Sequence, residues 1–178
     1  GACAHAYHGA AQSCRVDGQQ LQGQSCHMPA FGAHLSLRKL AAGADGVFNN
    51  LRGDLPDKIG LTYEDLKSVN PQIVCVHLSA YGRGNDRAAW PGYDYLMQAE
   101  CGYLSVTGEK GGPPSRMGLS IVDLSTGVQA ALALASGILG ARASGQGGDY
   151  DVSLYDTAMT NLCYVSAWHM SLGETVGR

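Results

Sequence analysis

The sequence predicts an α/β fold, a parallel sheet flanked by helices, and three observations carry that prediction. The run Ile73-Val74-Cys75-Val76-His77-Leu78 is rich in β-branched residues and too short for a helix, the pattern of a strand. Residues 123–142 form a long, weakly polar stretch with the length of a helix, and glycines at 145, 147 and 148 punctuate its exit. Around these two, short strand-like runs alternate with helix-like ones, as the crossovers of a parallel sheet require.

Taken in order, residues 1–32 stand apart, because neither a strand period nor a helix period is visible there. Residues 35–42 read as the end of a helix, with Gly43 suited to its C-terminal cap. Gly46-Val47-Phe48 follows as a short buried strand, and residues 49–53 as the loop leaving it. Thr62 caps a helix whose first turn holds Glu64 and Asp65, where the helix dipole favours negative charge. Asn70-Pro71 ends it. His77, inside the clearest strand, is expected to be a hydrogen-bonded core histidine rather than a ligand. A loop over residues 81–85 leads to a helix over 93–101, closed by Gly102. Residues 108–114 are turn-rich, residues 123–142 form the long helix, residues 150–153 a strand and residues 155–170 a last helix. Two segments are therefore expected: an irregular 1–32 and an α/β body over 33–178.

The 178 residues are 45% hydrophobic and 15% charged, enough apolar material for one domain with a real core. A net charge of −3 implies no general polyanion-binding surface, so nucleic acid is not an expected partner, although a local basic pocket for a phosphorylated cofactor stays open. The first residues lack a basic start followed by an apolar stretch. Cys75, Cys101 and Cys163 lie in apolar runs, where a free thiol behaves as a small hydrophobe, and the expected compartment is a reducing cytoplasm. Cys3, His5, His8, Cys14, Cys26 and His27 are potential zinc ligands, but their spacing matches no compact zinc pattern, and no metal is expected. Residues 124–143 contain no acid or base until Arg142. Their Ala- and Gly-rich composition, with Ser125, Thr126, Gln129 and Ser136, reads as a buried core helix rather than a membrane span.

Three constellations carry chemistry. Asp123 lies at or just before the first turn of the long helix, where unpaired N–H groups and the dipole favour an anion. On spacing alone it reads first as an N-cap and second as a sheltered carboxylate able to attack an activated acyl group, and the two readings are compatible. Tyr93 and Asp94 open a helix after Pro91-Gly92, either as a packed helix start or with polar ends turned to a cleft. Arg52, Lys58, Arg83, Arg87 and Arg116 stand beside turn loops, the places where parallel sheets bind ligands and where phosphates meet cations.

At these residues the chain resembles the class III CoA-transferases, the family of formyl-CoA transferase, carnitine CoA-transferase and α-methylacyl-CoA racemase. Asn50-Leu51-Arg52, Gly60-Leu61-Thr62-Tyr63-Glu64-Asp65-Leu66, Asn70-Pro71 and Ser79-Ala80-Tyr81-Gly82 follow in family order and spacing. So do Pro91-Gly92-Tyr93-Asp94 with Gln98, Gly102, Thr107-Gly108, Pro113-Pro114, Gly118, and Asp123 with Gly127. The resemblance runs from about Leu40 to the C-terminus. It implies a Rossmann-like large domain, present in part, and transfer of coenzyme A from an acyl-CoA to a carboxylic acid acceptor. Asp123 then stands where the family keeps its nucleophile, which forms a mixed anhydride with the acyl group. Tyr93 and Asp94 match positions beside it, and Gln98 stands behind them. Asn50, Leu51, Arg52 and Lys58 look like the CoA-contacting segment, with Leu51 where Phe is more usual. Acyl-CoA is a substrate, and no permanently bound cofactor is implied.

The racemase branch has a histidine at the position of Tyr93. A tyrosine with an ordinary pKa near 10 exchanges protons poorly at neutral pH, so transferase is favoured over 2-methylacyl-CoA racemase or epimerase. Family chains are longer and form interlocked homodimers, and residues 1–32 lie outside the resemblance. The isolated chain is expected to turn over little or not at all. A non-catalytic remnant, or a module folding around zinc, is the rival of another class.

Overall fold

The computed structural model describes residues 14–16, 19–21 and 30–178, with side chains from Ser36 onward. The chain divides into two compact units, residues 1–33 and 34–178. In the first, β1 (Cys14–Val16) and β2 (Gln19–Leu21) pair antiparallel, with Cys14 opposite Leu21. The candidate zinc ligands of residues 1–27 lie outside the described side chains.

The second unit is built on a three-stranded parallel sheet in the order β3 (Gly46–Asn49), β4 (Val74–Ser79), β5 (Gly148–Ser153). Gly46 pairs with Val74 and Asn49 with His77, while Val74 pairs with Gly148 and Ser79 with Ser153. The central strand is continuously apolar because both its faces are covered. Strand alternation sends Val74 and Val76 to one side, where they meet Ala130 and Ala141 of the long helix α6 (Ile121–Ser144). Ile73 and Cys75 go to the other, against Leu66 and Ala41. Leu66 belongs to the short helix α3 (Tyr63–Leu66) and Ala41 to α1 (Ala30–Ala41). β3 is only half-buried, and Phe48 is exposed, so the expected buried strand is an edge strand here.

Local chemistry accounts for the helix ends. Thr62 caps α3 as its sequence predicts, and the Asp65 side chain completes a full capping box by accepting from the Thr62 N–H. Helix α4 (Asp94–Glu100) is closed by Gly102, which adopts a left-handed φ of 88°. Gly43, expected as a cap, does not adopt the left-handed conformation. Short helices α2 (Leu55–Ile59), which carries Pro56, and α5 (Tyr103–Val106) were not legible as periodic segments, because a single turn has no period to read. The expected last helix is two, α7 (Leu154–Asn161) and α8 (Tyr164–Leu172). They are separated at Cys163, whose φ is 50°.

Helix α6 differs from its expectation in a telling way. Val122, Thr126, Ala130, Gly137 and Ala141 form a buried stripe, but Leu124, Val128, Leu132 and Leu139 are exposed. By length and composition the helix is apolar enough to cross a membrane. In this structure one face packs on the sheet and the other is uncovered. Close packing depends on Gly137, where a Cβ would stand 2.8 Å from Val74 Cγ1 and 2.9 Å from the Tyr150 ring.

Candidate active site

Helix α6 runs back along the sheet. Gly137 rests on Val74, at the start of β4, whereas Val122 joins a cluster with Ala80 and Leu154, just beyond the ends of β4 and β5. The head of α6 is thus brought to the carboxyl edge of the sheet, where open α/β folds bind ligands. The loops that follow β3 and β4 meet there as well. Gly53 is buried against the carbonyl oxygens of Gly82 and Ala88, and Gly92 lies against Ala80 and Met97.

Asp123 is the third residue of α6, not its cap. Ser120 occupies the cap position and makes no side-chain cap bond. The capping carboxylate comes from another helix. Asp94, only 2% exposed, accepts hydrogen bonds at Oδ2 from the backbone N–H of Val122 (2.7 Å) and of Asp123 (3.1 Å). Gln98, one turn further along α4 and fully buried, donates from Nε2 to Asp94 Oδ1 at 2.5 Å. Its Oε1 accepts from Met117 N–H (2.9 Å), and Nε2 also reaches the Leu119 carbonyl (3.3 Å). Two side chains of α4 therefore hold the whole approach to α6. A buried Asp and Gln at i, i+4, with apolar Met97 on the same helix and Cys101 at its C-cap, is a sequence signal for such a clamp, because buried polar groups must find partners.

The Asp123 side chain is exposed, with its proton affinity raised above the usual carboxylate value, first by desolvation and then by the charge of Asp94. Tyr93 is 61% exposed, and its ring meets Tyr95 edge-on at 6.2 Å between centroids. Tyr93, Asp94 and Asp123 are thus gathered at one end of α4 and α6, but Asp94 faces inward and spends both oxygens on the chain itself.

The loop of residues 50–58 borders an open groove of about 500 Å³, lined by Gly53, Asp54, Lys58 and Asn85 among others. Asn50 is exposed and Leu51 partly buried. Arg52 reaches Asp54 through Nε (2.5 Å) and Nη2 (3.0 Å), and Lys58 reaches it through Nζ (2.5 Å). These hydrogen bonds, Arg52's first, hold the Asp54 carboxyl well below the usual carboxylate range. A phosphate arriving here would exchange with a carboxylate rather than meet free cations. Arg83 is likewise bound to Asp151 (2.6 Å), with Asp149 and Asp57 nearby. Arg87 lies over the rings of Tyr81 and Trp90, and Arg116 over that of Tyr95.

His77 is the satisfied core histidine its setting predicts. Asn49 Nδ2 donates to Nδ1 (2.9 Å), which puts the ring proton on Nε2, facing Asp149 Oδ1 at 2.8 Å. Burial raises the Asp149 proton affinity, but His77, the Tyr63 N–H and Arg83 together outweigh it and hold the carboxyl below its ordinary value. Its contribution to stability is present above the unfolded-state pKa and disappears as pH falls toward the folded one. Urea midpoints measured downward from about pH 5 should fall more steeply for the parent than for Asp149→Asn. Among the described residues, no group of three or more His, Cys, Asp or Glu is placed to hold a metal ion.

Known proteins resemble this chain in sequence and in fold. A curated acyl-CoA transferase of Fusarium pseudograminearum is 39% identical over 130 residues, which are 73% of this chain and 28% of that protein. The succinate–glutarate CoA-transferase of Agrobacterium fabrum is 34% identical over 120 residues, 67% of this chain and 30% of the relative. The chain thus spans less than a third of the length of these two relatives. A crystal structure of a CAIB/BAIF family protein from Brucella suis superposes with a TM-score of 0.78 at 25% identity, covering 93% of this chain and 47% of that one. The model of CoA-transferase family III matches residues 14–178, beginning inside the stretch that the sequence set apart from the body. The chain belongs to CoA-transferase family III.

Proposed function

We propose that this chain carries the acyl-accepting carboxylate of a CoA-transferase, Asp123, and moves coenzyme A from an acyl-CoA donor to a carboxylic acid. A carboxylate oxygen of Asp123 attacks the thioester carbonyl, the C–S bond breaks, and CoA leaves as thiolate with the bonding pair. The product is a mixed anhydride. Thiolate attack on the aspartyl carbon releases the donor acid and leaves an aspartyl thioester. The acceptor carboxylate then displaces thiolate to form a second anhydride, and thiolate attacks the acceptor's acyl carbon, restoring Asp123. No proton needs to move in any step, so a tyrosine rather than a histidine at position 93 suits transfer better than racemisation.

The observation that carries the reading is the placement of Asp123. It is exposed at the head of a helix at the sheet's carboxyl edge, while the neighbouring helix N–H groups are already bonded to Asp94. Its lone pairs are left for substrate. Asn50, Leu51, Arg52 and Lys58, on the loop after β3, are proposed to contact CoA, with Tyr93 beside the acyl group. The exposed Leu124, Val128, Leu132 and Leu139 suit further protein against α6, as in an interlocked homodimer, and no membrane or nucleic acid enters the reaction. Buried free thiols at Cys75 and Cys101, pushed up to about 12 and about 11 chiefly by desolvation, suit a reducing cytoplasm.

Incubation with an acyl-CoA followed by hydroxylamine tests the intermediate. The sample is this chain, or a protein of the relatives' length that carries it. Mass spectrometry is expected to find a hydroxamate at Asp123 in the longer protein and little or none in the isolated chain. A label on any other carboxylate in the longer protein would refute the assignment.

A further inference from the structure

The Asp94–Gln98 pair is the most completely enclosed polar cluster among the described residues, and transfer as proposed above gives it no chemical step. Asp94 cannot act on substrate as placed: it is 2% exposed, and its oxygens accept from Gln98, Val122 and Asp123. The bonds it makes are unusual for their origin. A helix ordinarily caps itself, with the side chain just ahead of its first turn. Here Ser120 makes no such bond, and α4 supplies the cap to α6.

Two consequences follow for the residue that α6 carries. The first is geometric. The N–H of Asp123 is bonded to a buried carboxylate that Gln98 fixes in turn, so the Asp123 backbone is held at the point where its side chain leaves it. The second is electrostatic. A carboxylate in the first turn of a long helix is normally stabilised by the positive end of the dipole, which makes it a weaker base and a weaker nucleophile. A full negative charge lodged on those same N–H groups opposes that effect.

We propose that Asp94 is the positioning residue of Asp123: fixed by Gln98, it caps α6 from the neighbouring helix, aims the Asp123 side chain, and cancels the helix field that would blunt its carboxylate. The raised proton affinity of Asp123, to which Asp94 contributes second after desolvation, is the expected companion of that arrangement. This role rests on Asp123 being the nucleophile, but its structural half can be read without turnover.

The test uses the 178-residue chain labelled with ¹³C and ¹⁵N. In the unsubstituted chain, a scalar coupling across the hydrogen bond between Val122 N–H and the Asp94 carboxyl carbon is expected, and its absence would overturn the proposal whatever the variants do. Asp94→Asn keeps an acceptor of the same shape but removes the charge. The Asp123 carboxyl should then titrate at lower pH than in the parent, with amide exchange at Val122 and Asp123 little changed. Asp94→Ala should lower the titration too and speed exchange of both amides by about tenfold or more. In a protein of the relatives' length, Asp94→Asn should lower kcat on the order of tenfold to a hundredfold while KM for acyl-CoA stays within about twofold. An unmoved Asp123 titration in Asp94→Asn would make Asp94 an ordinary core residue. Transfer that survives Asp123→Ala would instead remove the nucleophile and leave the coupling and titration results standing.

Discussion

Asp123→Ala should abolish CoA transfer in a protein of the relatives' length, lowering kcat by at least about 10³-fold while leaving the fold intact. The activity loss follows from the proposed chemistry, in which no other carboxylate stands at the head of α6 with its oxygens free. The unchanged fold follows from position. Asp123 is exposed, its backbone N–H remains available to Asp94, and alanine is the best helix former. Replacement also relieves the repulsion between the two carboxylates. Urea midpoints for variant and parent should therefore differ by less than about 0.5 kcal/mol once converted to stability. The same residue sets a pH signature. Only the ionised carboxylate attacks, so acylation by the parent should fall as pH drops through the Asp123 pKa. Desolvation and the charge of Asp94 raise that value, so the acid limb should lie above that of an ordinary carboxylate. Transfer surviving in the alanine variant, or an acid limb at or below the ordinary value, would contradict the mechanism.

The second large effect is expected at Gly53. A Cβ there would sit 2.2 Å from the Gly82 carbonyl oxygen and 3.1 Å from that of Ala88, both of them backbone atoms with no rotamer to yield. The Gly82 side of the contact is itself fixed, since its N–H donates to Ser79 Oγ at 3.0 Å and its φ is +82°. Gly53→Ala must therefore push the loop after β3 away from the loop after β4. A stability loss of about 1–3 kcal/mol is expected in urea unfolding. In a protein of the relatives' length, KM for acyl-CoA should rise by about tenfold with kcat reduced less, since Asn50, Leu51, Arg52 and Lys58 move while Asp123 does not. A variant with parental KM would mean that this loop does not contact CoA. If kcat collapsed instead with KM unchanged, the loop would belong to the chemistry rather than to binding.

By itself the sequence determined the elements whose cause is local. The β-branched run at 73–78, the Thr62-Asp65 cap, the glycine stop after α4 and the length of α6 are each written in neighbouring residues, and each is present. Family motifs likewise marked Asp123, Tyr93 and the 50–58 loop as the places to look. Only the tertiary structure decided what those residues touch. Asp94 looked like an active-site acid by its position next to Tyr93, yet it lies buried as the cap of a helix that begins 27 residues later, at Ile121. Arg52 and Lys58 looked like cations placed for a phosphate, yet both are held by Asp54. The half-exposed α6 and the break at Cys163 were equally out of reach. Periodicity and capping act over a few residues, within one or two turns of chain. Burial and charge neutralisation depend on partners that only folding brings within a few ångströms.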